Sequence, residues 1–349
     1  KWIAENPAAL ERGHRSFWLN AFSSPWQSWE KVVYSFLVAR KDPQRLKVVY
    51  NTMLGELWED RGDLADEDTM LSRREEYGTR DDGTPIELPE GVLVLTCGVD
   101  VQDDRLEGEV VGWGHYQESW GVKKFVIPGD PNDDAPWLKL DSYLDHVYKF
   151  ENGRGLKIAM TMVDSGGHKP QAVYRQCRAR LGKRVFAVKG KGGEDVPYTK
   201  PPTKVDIVVN GKAIAKTYLY TIGVDAGKAA ILNGSLRVTE PGPKFCHFPR
   251  RDDAGYDYTY FAGLLSERQE LKTTNGRTKY VWVKLPGHER NEALDCRNYA
   301  TAALYALDPD MDAIERKIKE QSGQWEKAPQ PKAKRKARVK RQNAYGDAW

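Results

Sequence analysis

The spacing of hydrophobic positions changes along the chain and divides it into segments with different predicted structures. Over residues 26–58, apolar side chains recur at helical spacing, with a break at the turn-forming Lys41-Asp42-Pro43. The sequence therefore predicts two helices in this region. Residues 59–90 are polar, charged and rich in turn-forming residues, so they predict a linker.

From Gly91 onward the pattern is that of a sheet. The apolar run VLVLTCGVDV and the alternating LEGEVVGWGHY predict a hairpin, and KKFVIPG predicts a third strand. Helices are predicted for PWLKLDSYLDHVYKF and KPQAVYRQCRARLG, and strands for LKIAMTMVDSGGH and KRVFAVKG. Three adjacent strands followed by helix, strand, helix and strand indicate the α/β class, with a mixed sheet flanked by helices.

The signals beyond Lys191 are weaker. DIVVNGKAIAKTYLYTIG predicts a hairpin that turns at Asn210-Gly211, residues 224–234 a short helix, and KYVWVKLPG a late strand. NEALDCRNYATAALYAL predicts a helix with one apolar face, formed by Ala293, Cys296, Ala300, Ala303, Leu304 and Leu307.

Composition supports a soluble, packed protein. Of 349 residues, 40% are hydrophobic and 30% charged, and no apolar run is long enough to span a membrane. The chain begins at Lys1 without a secretory signal, so we interpret it as an internal fragment. Four scattered cysteines and six histidines fit neither a disulfide framework nor a zinc site, and they predict buried, reduced thiols.

The basic charge is concentrated at the carboxyl end. The net charge of residues 321–349 is +6, whereas that of the whole chain is +4. The run PQPKAKRKARVKRQ therefore predicts a disordered polycationic arm that contacts a partner, or one that only improves solubility. The rest of the chain has no basic excess, so any affinity for nucleic acid must come from local patches.

Three aspartates occupy positions that suit metal chemistry. Asp100 and Asp164 each end an apolar strand, and Asp295 lies in the late helix, where Asp is unfavourable away from a cap. Ends of adjacent parallel strands meet at one sheet edge, and a helix packed across that edge brings in the third acid. Hard divalent cations prefer such oxygen ligands, and three carboxylates suit two ions. Asp is also common at element ends beside glycine, which is the structural alternative for each residue.

Other residues around these acids are candidates for supporting roles. Glu107, Glu109, Glu292 and His168 are candidate auxiliary groups, with salt bridges or solvation as the alternative. Candidate contacts to DNA phosphates, each with an ordinary exposed charge as the alternative, are Lys169, Arg175, Lys189, Lys191, Arg250 and Arg251.

Several stretches together resemble the large terminase subunits of tailed bacteriophages, of the lambda type. They are LNAFSSPWQSW, NTMLGELWE, CGVDVQDDRLEGEVVGWG, MVDSGGH, RVFAVKGKGG and NEALDCRNYA, and they span most of residues 15–307. The resemblance implies an RNase H-like nuclease that cuts concatemeric double-stranded DNA with two divalent ions, Mg²⁺ or Mn²⁺. Its catalytic and metal-binding acids would be Asp100, which would bridge both ions, Asp164 and Asp295. The products would carry 5′-phosphate and 3′-hydroxyl ends.

The resemblance also implies partners and a place of action. These are double-stranded DNA, a small terminase subunit and the portal or procapsid, in the host cell cytoplasm and without a membrane. Full-length members carry a packaging ATPase, but GKAIAKT and GKGGED lack the phosphate-binding pattern, so no ATPase activity is expected here. The predicted organisation is the helical end of the ATPase region or a linker at 1–60, a linker loop at 61–90, the nuclease at 91–309, and a helix remnant with the basic tail at 310–349.

Two other functions fit the same residues. Another RNase H-like polynucleotidyl transferase, such as a transposase, integrase or resolvase, would use acids from two strands and a helix equally well. A non-catalytic DNA-binding or capsid-docking module of the packaging motor would use the tail and the aromatic amino-terminal region. The first alternative predicts strand transfer, and the second predicts no metal-dependent cleavage.

Overall fold

A computed structural model describes residues 11–13, 18–40, 43–56, 66–193, 195–274 and 277–321. Contacts divide the chain into two units, residues 1–309 and residues 310–349. The described part of the second unit contains the helix Met311–Gln321. The predicted disordered arm lies outside the described residues. None of the helices within the described ranges is long and apolar enough to cross a membrane.

The first unit contains both helices and strands. The α-helices are α1 Trp29–Ala39, α2 Pro43–Val49, α3 Glu67–Ser72, α4 Ala135–Asp145, α5 Pro170–Ala179, α6 Val224–Leu232, α7 Tyr258–Leu264 and α8 Glu292–Leu307. The strands are β1 Val94–Val101, β2 Arg105–Trp113, β3 Ser119–Pro128, β4 Tyr148–Lys149, β5 Gly155–Leu156, β6 Ile158–Asp164, β7 Val185–Lys191, β8 Thr203–Val209, β9 Lys212–Gly223, β10 Cys246–His247, β11 Glu267–Thr274 and β12 Arg277–Lys284. Short 3-10 or π turns occupy Ala21–Ser23, Tyr50–Leu54, His115–Gln117, Leu181–Lys183, Ser235–Arg237 and Asp252–Ala254.

One mixed sheet of eight strands organises this unit. Its order is β10-β3-β2-β1-β6-β7-β9-β8. Strands β1, β6, β7 and β9 run parallel to one another, whereas β2 is antiparallel to β1 and β3, and β8 is antiparallel to β9. The antiparallel strands at 94–128, followed by helix, strand, helix and strand, confirm the predicted α/β class with a mixed sheet.

Helices cover both faces of the sheet. On one face, side chains of β1 such as Leu95 and Cys97 belong to the core that contains Trp137 and Leu140 of α4 and Cys177 of α5. On the other face, side chains of β6 and β7 belong to a core with Tyr299, Ala302 and Ala303 of α8. Because side chains alternate across a strand, even-numbered positions of β1 and β6 face α8.

The structure differs from the predictions at several elements. The predicted linker contains α3, whose Met70 is fully buried and whose amino end is capped by Asp66, with its carboxylate accepting from the Thr69 amide at 2.7 Å. The predicted late strand, β12, pairs with β11 in a separate two-stranded sheet. Neither β11 nor α7 was predicted, because both are short and neither has a clear apolar periodicity.

Helix α8 is buried on nearly all sides, which corrects the expectation of a single apolar face. Even Arg297, Asn298 and Thr301 are buried. The helix lies directly on β1 because Gly98 has no side chain. A Cβ atom at Gly98 would lie 2.0 Å from the Cys296 carbonyl oxygen and 2.5 Å from the Ala300 nitrogen. The Thr96 hydroxyl also donates to the Ala300 carbonyl at 2.7 Å.

Replacing Gly98 by Ala is expected to destabilise the fold by about 3 kcal/mol, because the backbone of α8 must move away from β1. Urea unfolding of the variant measures this change. Gly182→Ala is the matched control, since nothing lies within 4 Å of the Cβ position there. Equal stability of the two variants would contradict the close contact between β1 and α8.

Candidate functional site

The side-chain alternation of two strands brings two aspartates together. Strands β1 and β6 are adjacent and parallel, with Val99 opposite Val163. Asp100 and Asp164 follow these residues and point to the face covered by α8. Residues in the first turn of α8 lie over the same edge, and Asp295 is one of them. The structure therefore brings together the three acids that the sequence singled out.

The pKa of each of the three aspartates is raised, and burial of the carboxyl group is the first cause in each case. Burial, together with the charges of Asp295 and Asp164, raises the pKa of Asp100 to about 7. Burial, reinforced by Glu267 and Asp164 and opposed by Lys228, raises the pKa of Asp295 to about 6. Burial also raises the pKa of Asp164. The cluster holds more negative charge than its cationic neighbours neutralise, so it favours binding of protons or other cations.

Stability is expected to fall as pH rises from about 4 to about 7 in the absence of divalent cations. The unfolded carboxyl groups ionise near their ordinary pKa of 3.8, whereas folded Asp100 and Asp295 keep their protons to about 7 and about 6. The folded state therefore binds more protons in this window, and it loses stability as pH rises. Thermal unfolding in EDTA from pH 4 to 8 measures the slope, and Asp100→Asn should flatten it. An unchanged slope would contradict the raised pKa of Asp100.

Each acid is held by a donor from a nearby backbone or side chain. The Gln102 amide donates to Asp100. The Gly166 backbone amide donates to Asp164 at 3.0 Å, and the Tyr299 hydroxyl also donates to Asp164.

The third acid has its own donor, because the Asn291 amide donates to Asp295 at 3.0 Å. Gln102, Tyr299 and Asn291 were not singled out from sequence. The sequence offered one signal: Gln102 lies two residues from Asp100, and Asn291 and Tyr299 each lie four residues from Asp295.

The reasoning that selected Asp295 from its helix position was wrong. Asp295 lies in the first turn of α8 rather than in its middle, and an acid is favourable there because of the helix dipole. Its helix position alone is therefore no sign of function. Asp295 is a candidate metal-binding acid because it lies near Asp100 and Asp164.

Two candidate auxiliary acids, Glu107 and Glu292, take part in ion pairs beside the cluster. Glu107 accepts from Arg105 at 2.7 Å, from Lys124 at 3.0 Å and from Arg290. Burial alone would raise the pKa of Glu107, but these cations outweigh it and lower the pKa. Glu292 accepts from Arg105 at 2.8 Å and from Arg290 at 3.3 Å. Both acids therefore have cationic partners already.

The third, Glu109, lies deeper under α8. It is fully buried, and its Oε1 accepts from Arg297, from Tyr260 at 2.9 Å and from Tyr256 at 3.1 Å. These contacts connect β2 with α7 and α8, so they favour the structural alternative for Glu109.

A small cleft beside Asp164 contains His168 and Lys169, together with Asp103 of the β1–β2 turn. The His168 imidazole is 85% exposed and its Nδ1 lies 3.2 Å from Asp103. The Lys169 ammonium donates to the Asp103 carbonyl at 2.8 Å and to Asp130 at 2.7 Å. These two residues are close enough to the cluster to meet a substrate bound there.

The remaining basic candidates lie at different distances along the sheet. Lys189 on β7 is exposed, and its charge opposes the rise in the pKa of Asp164. Lys191, also on β7, and Arg175 on α5 are exposed. Arg250 and Arg251 follow the edge strand β10, which is separated from β1 by β3 and β2. The structure therefore groups Lys189 with the acids but not Arg250 and Arg251.

The donor chemistry of the cluster fits hard divalent cations. Its oxygens are carboxylates, Asp100 and Asp164 are buried, and burial is the first cause of the raised pKa of each acid in the cluster. Within the described ranges, no three His, Cys, Asp or Glu side chains converge closely enough to hold one metal ion as they are arranged. Gln102 and Asn291 each occupy an oxygen of Asp100 or Asp295 in this arrangement.

Comparison with known proteins relates the chain to one family. Residues 14–317 match the family model of the terminase large subunit gpA endonuclease domain. The chain is 34% identical over 285 residues to the terminase large subunit of Escherichia phage lambda, and 31% identical over 287 residues to that of Enterobacteria phage P21. Each match covers 80% of this chain but 42% of the relative, so the chain spans less than half of their length.

One solved structure is also similar. It is a mutant nuclease domain of the large terminase subunit gp2 of bacterial virus Sf6, with manganese. The TM-score is 0.34 at 13% identity, and the match covers 60% of this chain and 88% of that one.

Proposed function

The chain belongs to the family of the terminase large subunit gpA endonuclease domain, and from this premise we propose that it cuts concatemeric viral double-stranded DNA during genome packaging. We propose that residues 91–309 are the nuclease domain, with a helical segment at 1–60 before it and a basic tail at 310–349 after it. The activity is that of a metal-dependent endodeoxyribonuclease, without ATP hydrolysis by this part of the protein.

The observation that carries the proposal is the cluster of Asp100, Asp164 and Asp295. Two adjacent parallel strands and one helix supply one acid each, burial raises the pKa of all three, and the charge of Asp164 adds to the rise for Asp100 and Asp295. Such a cluster stores unfavourable electrostatic energy that bound cations relieve. A purely structural role gives no reason to place three acids at one edge where burial raises the pKa of each.

The three aspartates would hold the divalent ions, Mg²⁺ or Mn²⁺. Two bound ions would supply a nucleophilic water at neutral pH and stabilise the departing 3′ oxygen, leaving 5′-phosphate and 3′-hydroxyl ends. Asp100 would be the ligand shared by both ions, since the charges of both Asp164 and Asp295 act on its carboxyl group. Lys189, Lys169 and His168 would contact the phosphates that flank the cleaved bond, and Lys191 and Arg175 would contact DNA farther along.

The partners follow from family membership and belong to the same proposal. They are double-stranded DNA, a small terminase subunit that selects the cleavage site, and the portal or procapsid in the host cell cytoplasm. Because the chain spans 42% of the relatives' length, the activity and assembly of the whole large subunit are likewise proposed.

Incubation of the chain with supercoiled plasmid tests the proposal. We expect nicked or linear DNA in Mg²⁺ or Mn²⁺, no cleavage in EDTA, and no cleavage by a folded Asp164→Asn variant. Joining of a donor DNA end to the plasmid would instead indicate a strand-transfer enzyme. DNA binding without cleavage, in a well-folded chain with either ion, would favour a docking module of the packaging motor.

A further inference from the structure

The amino end of α8 carries an asparagine whose side chain does not cap the helix. Asn291 is the N-cap residue, a position where an Asn side chain usually accepts a hydrogen bond from a backbone amide of the first turn. Here it makes no such bond. A side chain that does not form the hydrogen bond favoured at its position, and bonds to other groups instead, is expected at functional sites.

The Asn291 amide instead donates to two acids. Its Nδ2 lies 3.0 Å from Asp295 Oδ2 and 3.0 Å from Glu267 Oε1. An amide nitrogen carries two hydrogens, and here both are directed to carboxylate oxygens. The two carboxylates also determine the orientation of the Asn291 amide group, because the amide oxygen would be repelled if it faced them.

A lysine on another helix completes the chain of contacts. The Lys228 ammonium of α6 donates to both oxygens of Glu267, at 2.8 and 2.7 Å. The side chains of Lys228 and Glu267 are 12% and 6% exposed, so the pair is shielded from solvent. Lys228 therefore neutralises Glu267, and Glu267 is free to hold the Asn291 amide in place.

We infer that Asn291 is a positioning residue, which Lys228 and Glu267 hold in place so that Asp295 keeps one carboxylate oxygen directed to the cluster of Asp100 and Asp164. This inference rests on the proposed metal-dependent function. Outer-shell hydrogen bonds of this kind fix the orientation of a ligand carboxylate. The contacts join α6, β11 and α8, so three separate elements fix one ligand.

The test is the affinity of the full chain for Mn²⁺, measured by calorimetric titration without DNA. Asn291→Ser keeps a good N-cap residue but cannot donate to both acids, so we expect about a 10-fold weaker affinity and little change in thermal stability. In cleavage assays, the same variant should need more Mg²⁺ for half-maximal rate and recover at saturating Mg²⁺.

Two variants serve as references. Asn233→Ser removes another amide contact between α6 and β11, at 2.9 Å to Gln269, and should bind Mn²⁺ as the wild type does. Asn291→Gly also removes the amide and is well accepted at an N-cap, so it should weaken Mn²⁺ binding even if Asn291→Ser does not fold. Wild-type affinity in either folded variant of Asn291 would overturn the role of Asn291.

The Asp295→Asn variant distinguishes failure of the positioning role from failure of the proposed metal-binding function. Weakened Mn²⁺ binding in Asp295→Asn, with unchanged binding in Asn291→Ser, would reject only the positioning role. Unchanged Mn²⁺ binding in Asp295→Asn would reject Asp295 as a ligand, and the positioning role with it.

Discussion

Replacing Asp100 by Asn is expected to reduce Mg²⁺-dependent plasmid cleavage by more than about 100-fold. Removing an outer-shell partner of a metal ligand typically reduces activity by up to about 100-fold, which sets the lower limit. The loss should be larger here because Asp100 is a proposed ligand itself and the most strongly perturbed acid of the cluster, with its pKa raised to about 7. Initial cleavage rates with supercoiled plasmid at pH 8 measure the effect.

The same substitution is expected to leave the fold intact. Asn keeps the shape of the side chain and removes a buried charge that burial and two neighbouring acids oppose. Thermal unfolding in EDTA at pH 8 should therefore show a variant at least as stable as the wild type. Asp133→Asn, in an exposed turn, is the control for cleavage and should act as the wild type does. Retained cleavage in Asp100→Asn, or loss of its fold, would contradict a catalytic role.

Replacing Arg297 by Met is expected to lower the free energy of unfolding by about 3 kcal/mol or more, because it leaves a buried carboxylate without its cation. Arg297 and Glu109 are 2% and 0% exposed and form an ion pair. Two tyrosine hydroxyls would remain as donors to Glu109, which limits the loss. Urea unfolding followed by tryptophan fluorescence measures it.

A double substitution checks the cause. Glu109→Gln combined with Arg297→Met removes both charges, so it should be more stable than Arg297→Met alone. The guanidinium also lies over the Phe248 ring, 5.2 Å from its centroid, and the Met side chain retains part of this packing. If the double variant were no more stable than the single one, lost packing and not the unpaired charge would explain the effect.

The main sheet could be predicted from the sequence because its strands carry strong local signals. Runs such as VLVLTCGVDV and LKIAMTMVDSGGH are buried on both faces, and the turns between them contain residues with clear turn preferences. The hairpin turn at Asn210 and Gly211, both with positive φ, was confirmed for the same reason.

Elements whose role is set by distant partners could not be predicted in this way. Helix α3 lies in a polar segment, and one buried side chain, Met70, joins it to the core. Strand β11, in contrast, pairs with the neighbouring β12, and it was missed because its mostly polar sequence, ERQELKTT, lacks the apolar alternation of a strand. The network of Lys228, Glu267 and Asn291 spans 63 residues of sequence, with no motif to connect them.

The sequence by itself determined the α/β class with its mixed sheet, and it singled out Asp100 and Asp164 as acids at strand ends, because local periodicity and strand ends carry that information. The tertiary structure alone decided which acids have cationic partners and which do not. Glu107, Glu109 and Glu292 are as acidic in sequence as the aspartates, but lysine and arginine side chains from other elements neutralise them. The difference arises from contacts between residues far apart in the chain, because the charge state of a buried acid depends on what surrounds it in space.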